Sequence, residues 1–130
     1  MTAAADRRGF ASPVNVRPRR LHRTRRRRAS TPPGAVYVGR PTLWANPFGG
    51  RPGIGHARSV ILYRAWLRGE LNRRVLRCAG FSDAEVDALR RWRDRLVARL
   101  ATLAGRDLQC WCPLTSDWCH ADVLLREANA

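Results

Sequence analysis

Three of the four cysteines and one of the three histidines fall close together near the C-terminus: Cys110, Cys112, Cys119 and His120, with Asp122 two positions further on. Thiolates and imidazoles are the usual ligands of zinc, and a thiol beside an imidazole is also the raw material of a nucleophilic site. The spacing of Cys110 and Cys112 puts both sulfurs on one face of a strand. Cys119-His120 stands at the start of a helix, where free amides and the helix dipole favour an anionic sulfur.

Three readings follow from this cluster. In the first, Cys110, Cys112, Cys119 and His120 hold Zn²⁺, tetrahedral if all four engage. Adjacent residues rarely aim at one ion, so a three-ligand site that omits Cys119 or His120 is easier to build. In the second, no metal is needed: Cys119, rather than Cys112, is a thiolate nucleophile with His120 as its base and Asp122 beside them, in an enzyme of nucleotide or nucleobase metabolism. In the third, the cysteines are small buried hydrophobes and His120 caps the helix. Cys78, in a helical context, reads as core.

A second candidate site lies between Arg40 and His56. Gly49-Gly50-Arg51-Pro52-Gly53-Ile54-Gly55 runs into a helix N-terminus, a natural position for an anion. No Gly-Lys-Ser/Thr follows it, and Arg58 breaks a G-x-G-x-x-G pattern. Arg40, Arg51, His56 and Arg58 are close by in sequence. Trp44 and Phe48 offer rings for stacking on a base, so Arg40, Trp44, Asn46 and Phe48 are the expected ligand-binding residues for a nucleotide or nucleic acid. The competing reading is an irregular connector.

The elements that must position these residues are well punctuated. Residues 35–38 read as a first strand after Pro32-Pro33-Gly34. Val60, Tyr63, Leu67 and Leu71 predict a helix over 56–71, with a further helical turn up to about Gly80. Ser82-Asp83-Ala84-Glu85 is a capping box opening a helix with Val86, Leu89, Trp92, Leu96, Leu100 and Leu103 on one face. Asp87 and Arg91 are placed for an i,i+4 pair on it, and Gly105 ends it. Residues 106–112 read as a second strand, with Leu108, Cys110 and Cys112 on one face and Gln109 and Trp111 on the other. Residues 120–128 read as a last helix. The order predicts a small single α/β domain: a short sheet with a few packed helices. If the two strands are parallel neighbours, the loops after them leave the same sheet edge and bring Arg40, Trp44 and Asn46 near Cys112, Cys119 and His120.

Charge divides the 130-residue chain unevenly. All of its 25 basic residues are arginine, against 10 acidic ones, for a formal net charge of +15. Nine of those units belong to residues 1–33, where apolar residues are sparse and aperiodic. That segment is expected to be a disordered Arg-rich arm able to meet phosphate backbones, with residues 34–130 the folded domain at +6. No apolar run approaches the ~20 residues of a membrane span, so no membrane is expected. The basic N-terminus has no apolar stretch after it. Together these point to the cytoplasm, and the cysteines to metal binding, catalysis or burial rather than disulfides.

Several segments, in order, carry a resemblance to a known family: Val36-Tyr37-Val38-Gly39-Arg40-Pro41-Thr42-Leu43-Trp44-Ala45-Asn46-Pro47-Phe48, then Tyr63-Arg64-Ala65-Trp66-Leu67, then Leu103 to Pro113, then Cys119-His120-Ala121-Asp122-Val123-Leu124-Leu125. Over about residues 35–129 the chain resembles the bacterial and phage domain-of-unknown-function family 4326. The resemblance implies a small α/β domain whose Trp-Asn-Pro-Phe loop and Cys-His cluster form the functional face, and it implies no particular activity. Ala45 and Ala121 stand where the family has glycine, and Leu114 to Trp118 lengthens the link between Pro113 and Cys119.

Overall fold

The computed structural model describes residues 17–25 and 30–130. Three short strands, β1 (Arg20–His22), β2 (Val36–Tyr37) and β3 (Leu108–Cys110), form one sheet in the order β1-β3-β2, with β3 in the centre. Both outer strands run parallel to β3 and in the same register: Arg20 and Val36 each face Leu108, and Leu21 and Tyr37 each face Gln109. The helices are α1 (His56–Leu67), α2 (Arg73–Cys78), α3 (Asp83–Arg99) and α4 (His120–Ala128), and a 3₁₀ turn over Leu100–Leu103 extends α3. The expected small α/β domain with a short sheet and packed helices is therefore the fold.

The strand over Arg20–His22 is a correction. Its sequence sits in the Arg-rich segment expected to be disordered over residues 1–33, and three residues among arginines show no period. Pairing is supplied from far along the chain: Leu108 N–H donates to Arg19 O at 3.0 Å and Arg23 N–H to Cys110 O at 2.7 Å. The rest of the expected arm, residues 1–16 and 26–29, lies outside the described residues.

Period-2 alternation gives the sheet two faces. Leu108 and Cys110 are buried together with Val38, in the core that α1 and α4 cover. Gln109 points the other way and is also buried, because the segment before β2 folds over it: its Oε1 accepts from Thr31 Oγ1 at 2.7 Å and from Arg23 Nη1 at 3.2 Å. A buried amide must have such partners.

Helix ends fall where local chemistry stops them. α1 ends four residues short of the apolar pattern, because Gly69 takes φ +72° and closes a Schellman motif, with Glu70 N–H donating to Ala65 O and Gly69 N–H to Trp66 O. α3 starts on the expected capping box, Glu85 N–H to Ser82 Oγ at 3.1 Å and Ser82 N–H to Glu85 Oε1 at 2.9 Å. The expected Asp87–Arg91 pair is replaced by Arg73, which bridges Asp83 and Asp87 and so clamps α2 to α3. Cys78, expected in the core, is exposed at the end of α2. The core joins Phe48, Tyr63, Trp66 and Phe81 with Leu76, Val86, Leu89, Leu96, Leu103 and Leu124. Phe48 meets Trp66 and Phe81 edge-on at centroid separations of 5.9 and 5.7 Å.

Candidate functional site

The carboxyl end of β3 carries the thiols. Cys110 ends the strand, Cys112 follows it, and Cys119 is the N-cap of α4. Their three sulfurs lie within 4.8 Å of one another, and Cys110 Sγ and Cys119 Sγ are 3.0 Å apart. All are free thiols, with Cys110 and Cys119 buried and Cys112 partly so. Such a cluster is compatible with metal binding. The longer Leu114–Trp118 link does not keep Cys119 away from the other two.

What gathers that link is Arg20, a residue sequence reasoning left in the arm. From its place on β1 it sends Nη2 to the carbonyls of Leu114 at 3.1 Å and Ser116 at 3.0 Å, with that of Pro113 at 3.4 Å. Its Nη1 lies 3.2 Å from Asp122 Oδ2, and the side chain is only 9% exposed. That contact has ion-pair distance without hydrogen-bond geometry, so Nη1 is a buried nitrogen with no hydrogen bond of its own. Burial works against the guanidinium charge, yet Cys119 as an acceptor and the Asp122 carboxylate outweigh it and raise its pKa. Asp122 is itself held above the usual carboxylate range, because its own burial outweighs the Arg20 charge.

The electrostatics single out Cys119. The Cys110 thiol donating to its sulfur is the largest influence, and together with His120 and the Ala121 amide of the α4 N-terminus it overcomes burial and lowers the Cys119 pKa. Cys110, which supplies that proton, is pushed up, as is Cys112 through burial and the nearby Cys119 charge. His120 is not one of the three mutually close donors. Its Nε2 donates to Val38 O at 2.8 Å, and its ring stands edge-on to Tyr63 at 5.4 Å. With Nε2 tied to the end of β2, Nδ1 is the nitrogen left for Cys119. The Tyr63 hydroxyl in turn donates to Trp44 O at 2.7 Å. Burial raises its pKa well above the ordinary phenol value, so it remains a donor.

The loops after β2 and β3 thus leave the same sheet edge, as the parallel arrangement requires. Their functional side chains nevertheless face different spaces. Trp44 and Phe48, expected to stack on a ligand, are buried in the core at 9% and 0% exposure. Asn46 is spent on structure, its Oδ1 accepting from Phe48 N–H at 2.9 Å and its Nδ2 donating to Ser59 Oγ at 3.3 Å. Arg40 is exposed, with Nη2 donating to Gly49 O at 2.8 Å. Arg40 and Asn46 do line a cavity of about 780 Å³, but its other wall is α3, with Leu89, Trp92 and Arg95. Cys119 and Asp122 line a separate cavity of about 600 Å³ between α1 and α4, with Trp118 and Arg126. His56 links the two loops: its Nε2 is 2.7 Å from Trp118 O.

Among the described residues no helix is long and apolar enough to cross a membrane. The family model described as domain of unknown function (DUF4326) matches residues 21–130, and the chain belongs to that family. The match begins inside β1. No curated protein and no solved structure matches the chain.

Proposed function

We propose that Cys110, Cys112 and Cys119 hold a zinc ion, that His120 supplies the fourth donor through Nδ1, and that the site is structural. The observation that carries this reading is the mutual approach of three thiols brought from a strand, a loop and a helix cap to within 4.8 Å. Sulfurs at about 2.3 Å from a tetrahedral zinc stand about 3.8 Å from one another, a value this cluster brackets. A histidine whose second nitrogen donates to a backbone carbonyl, as Nε2 of His120 does to Val38, is the usual outer-shell support of a metal ligand. Charge supports it too: three thiolates around a divalent ion leave one negative charge, and the Arg20 guanidinium is the adjacent cation. Such a site would tie β3 to α4 in a domain whose strands are short.

A second reading has its own observation, the lowered pKa of Cys119 beside His120, which suits a metal-free nucleophile working on a nucleotide or nucleobase in the Asp122 cavity. Metal analysis of the full chain purified without a histidine tag separates the two. About one equivalent of zinc, lost in Cys110→Ser and in Cys119→Ser, with a melting temperature that falls on chelation, is the expected result. Absence of metal, together with alkylation of Cys119 as a thiolate near neutral pH, would replace the zinc site by the nucleophile.

A further inference from the structure

The sheet face opposite the thiols carries an exposed aromatic step that neither reading of the cysteines uses. Trp111, two residues after Gln109 and the first beyond β3, is 44% exposed. Its Nε1 donates to the Tyr37 hydroxyl at 2.8 Å, and that hydroxyl donates to Arg40 O at 2.8 Å. The two rings are thereby fixed side by side. Gly39 is part of the same fixture, because any Cβ there would overlap the Tyr37 hydroxyl.

Guanidinium groups surround this step. Arg23 lies over both rings, 5.1 Å from the Tyr37 centroid and 5.7 Å from that of Trp111, and Arg25 lies over Trp111 at 5.6 Å. Arg40 joins the step through its backbone carbonyl, which takes the Tyr37 hydroxyl, while its guanidinium reaches Gly49 O. The arginines of this region fall into two groups. Arg19 and Arg20 meet Asp107 and Asp122, whereas Arg23, Arg25 and Arg40 meet no carboxylate among the described residues. Arg23 is braced against Gln109 and Thr31, so its position is set by neutral groups and its charge is left uncompensated. In sequence, Arg25 opens a run of four arginines through Arg28.

We infer that the Tyr37–Trp111 step with Arg23, Arg25 and Arg40 binds single-stranded nucleic acid, one or two bases stacking on the rings and the phosphates passing along the arginines. The Trp111 ring is exposed and, among the described residues, meets only guanidinium groups and the Tyr37 hydroxyl, so an unpaired base can stack on it or slip between ring and guanidinium. Duplex bases are already stacked, and uncompensated guanidinium groups release counterions from a phosphate backbone. An acidic protein segment would use the charge and leave the rings idle. The indole and phenol, locked to each other by a hydrogen bond, favour the nucleic acid.

The test is fluorescence anisotropy of a labelled short oligothymidylate with the full chain at low and moderate salt. Wild type should bind, with affinity falling as salt rises. Trp111→Ala should weaken binding about 10-fold or more and Trp111→Phe should recover most of it, since a ring suffices. Arg25→Gln should reduce the salt slope by about one. Trp111 is exposed, so thermal unfolding of these variants should match wild type; if Trp111→Ala unfolds, Trp111→Phe and Arg25→Gln decide alone. The inference is overturned by failure to bind at low salt, or by equal affinity for a duplex of the same length or for heparin. Unchanged affinity in folded Trp111→Ala, or binding only to vesicles of anionic lipid, overturns it equally.

Discussion

Two loops leave the same edge of the sheet, and they do opposite things with similar residues. The loop after β2 is rich in glycine and proline and carries Trp44 and Phe48, the composition of a binding loop, yet it is a plug. Trp44, Ala45 and Phe48 are core, and its backbone is bound by Tyr63 at Trp44 O and by Trp92 at Leu43 O. The loop after β3 exposes Trp111, Leu114 and Trp118 and keeps three thiols and a buried guanidinium together at its base. Aromatic content alone therefore does not distinguish a site from a seal. Polar groups left over once the fold is satisfied do, and those lie around Arg20 and the cysteines.

The largest way to break this contrast is Phe48→Ala. If the β2 loop is a core element, emptying a fully buried ring that meets Trp66 and Phe81 edge-on costs about 3–5 kcal/mol in urea unfolding, enough to leave a domain of this size marginal. A cost under about 1 kcal/mol would return the loop to the surface role its sequence suggests. Arg20→Met tests the other loop. Removing one partner of a buried ion pair costs about 3–5 kcal/mol, but Asp122 is 46% exposed, and solvent screening brings the expected loss nearer 1–3 kcal/mol. Amide hydrogen exchange should rise in residues 114–118, because the carbonyls of Pro113, Leu114 and Ser116 lose their common donor. Unchanged protection there would show that the link is ordered without Arg20.

The same contrast explains what could be read in advance. Helix starts, the capping box, the helices α1 and α4 and the clustering of Cys110, Cys112 and Cys119 are local in sequence, so their signals survive in a single chain. β1 is not local. Arg20, Leu21 and His22 gain their structure from Leu108 to Cys110, and their charge pattern alone suggests disorder. Arg20 was missed as a site residue for that reason; the one hint was Leu21 as an apolar residue among arginines. Trp44 and Phe48 were legible as aromatic but not as buried, because burial depends on α1 and α3 arriving from elsewhere. The six residues of α2 were too few for a period to show that Cys78 faces out.

Smaller changes sharpen how the β2 loop is held. Trp92→Phe keeps a ring on α3 and removes only the indole donor to Leu43 O, a bond of 2.7 Å. The expected loss is about 1–2 kcal/mol, most of it the unpaired carbonyl, with no change in behaviour of the thiols. If chelation becomes more damaging in this variant, the two loops are coupled through α1 rather than independent.

The smallest expected effect concerns pH. Glu85 accepts from the Ser82 backbone amide, the largest influence on it, and from Arg51, and both hold its carboxyl below the usual carboxylate range. Arg51 comes from the β2 loop and lies over the Phe81 ring at 3.9 Å, so its ion pair with Glu85 fastens that loop to α3. A carboxylate whose folded pKa is depressed contributes stability above its unfolded pKa and loses it as pH falls through the folded value. Wild type should therefore lose stability more steeply than Glu85→Gln as pH drops below about 4.5, while the two curves run parallel at neutral pH. Parallel curves throughout would mean that Arg51 is held by Phe81 and Gly80 O alone, and that the plug owes nothing to this charge.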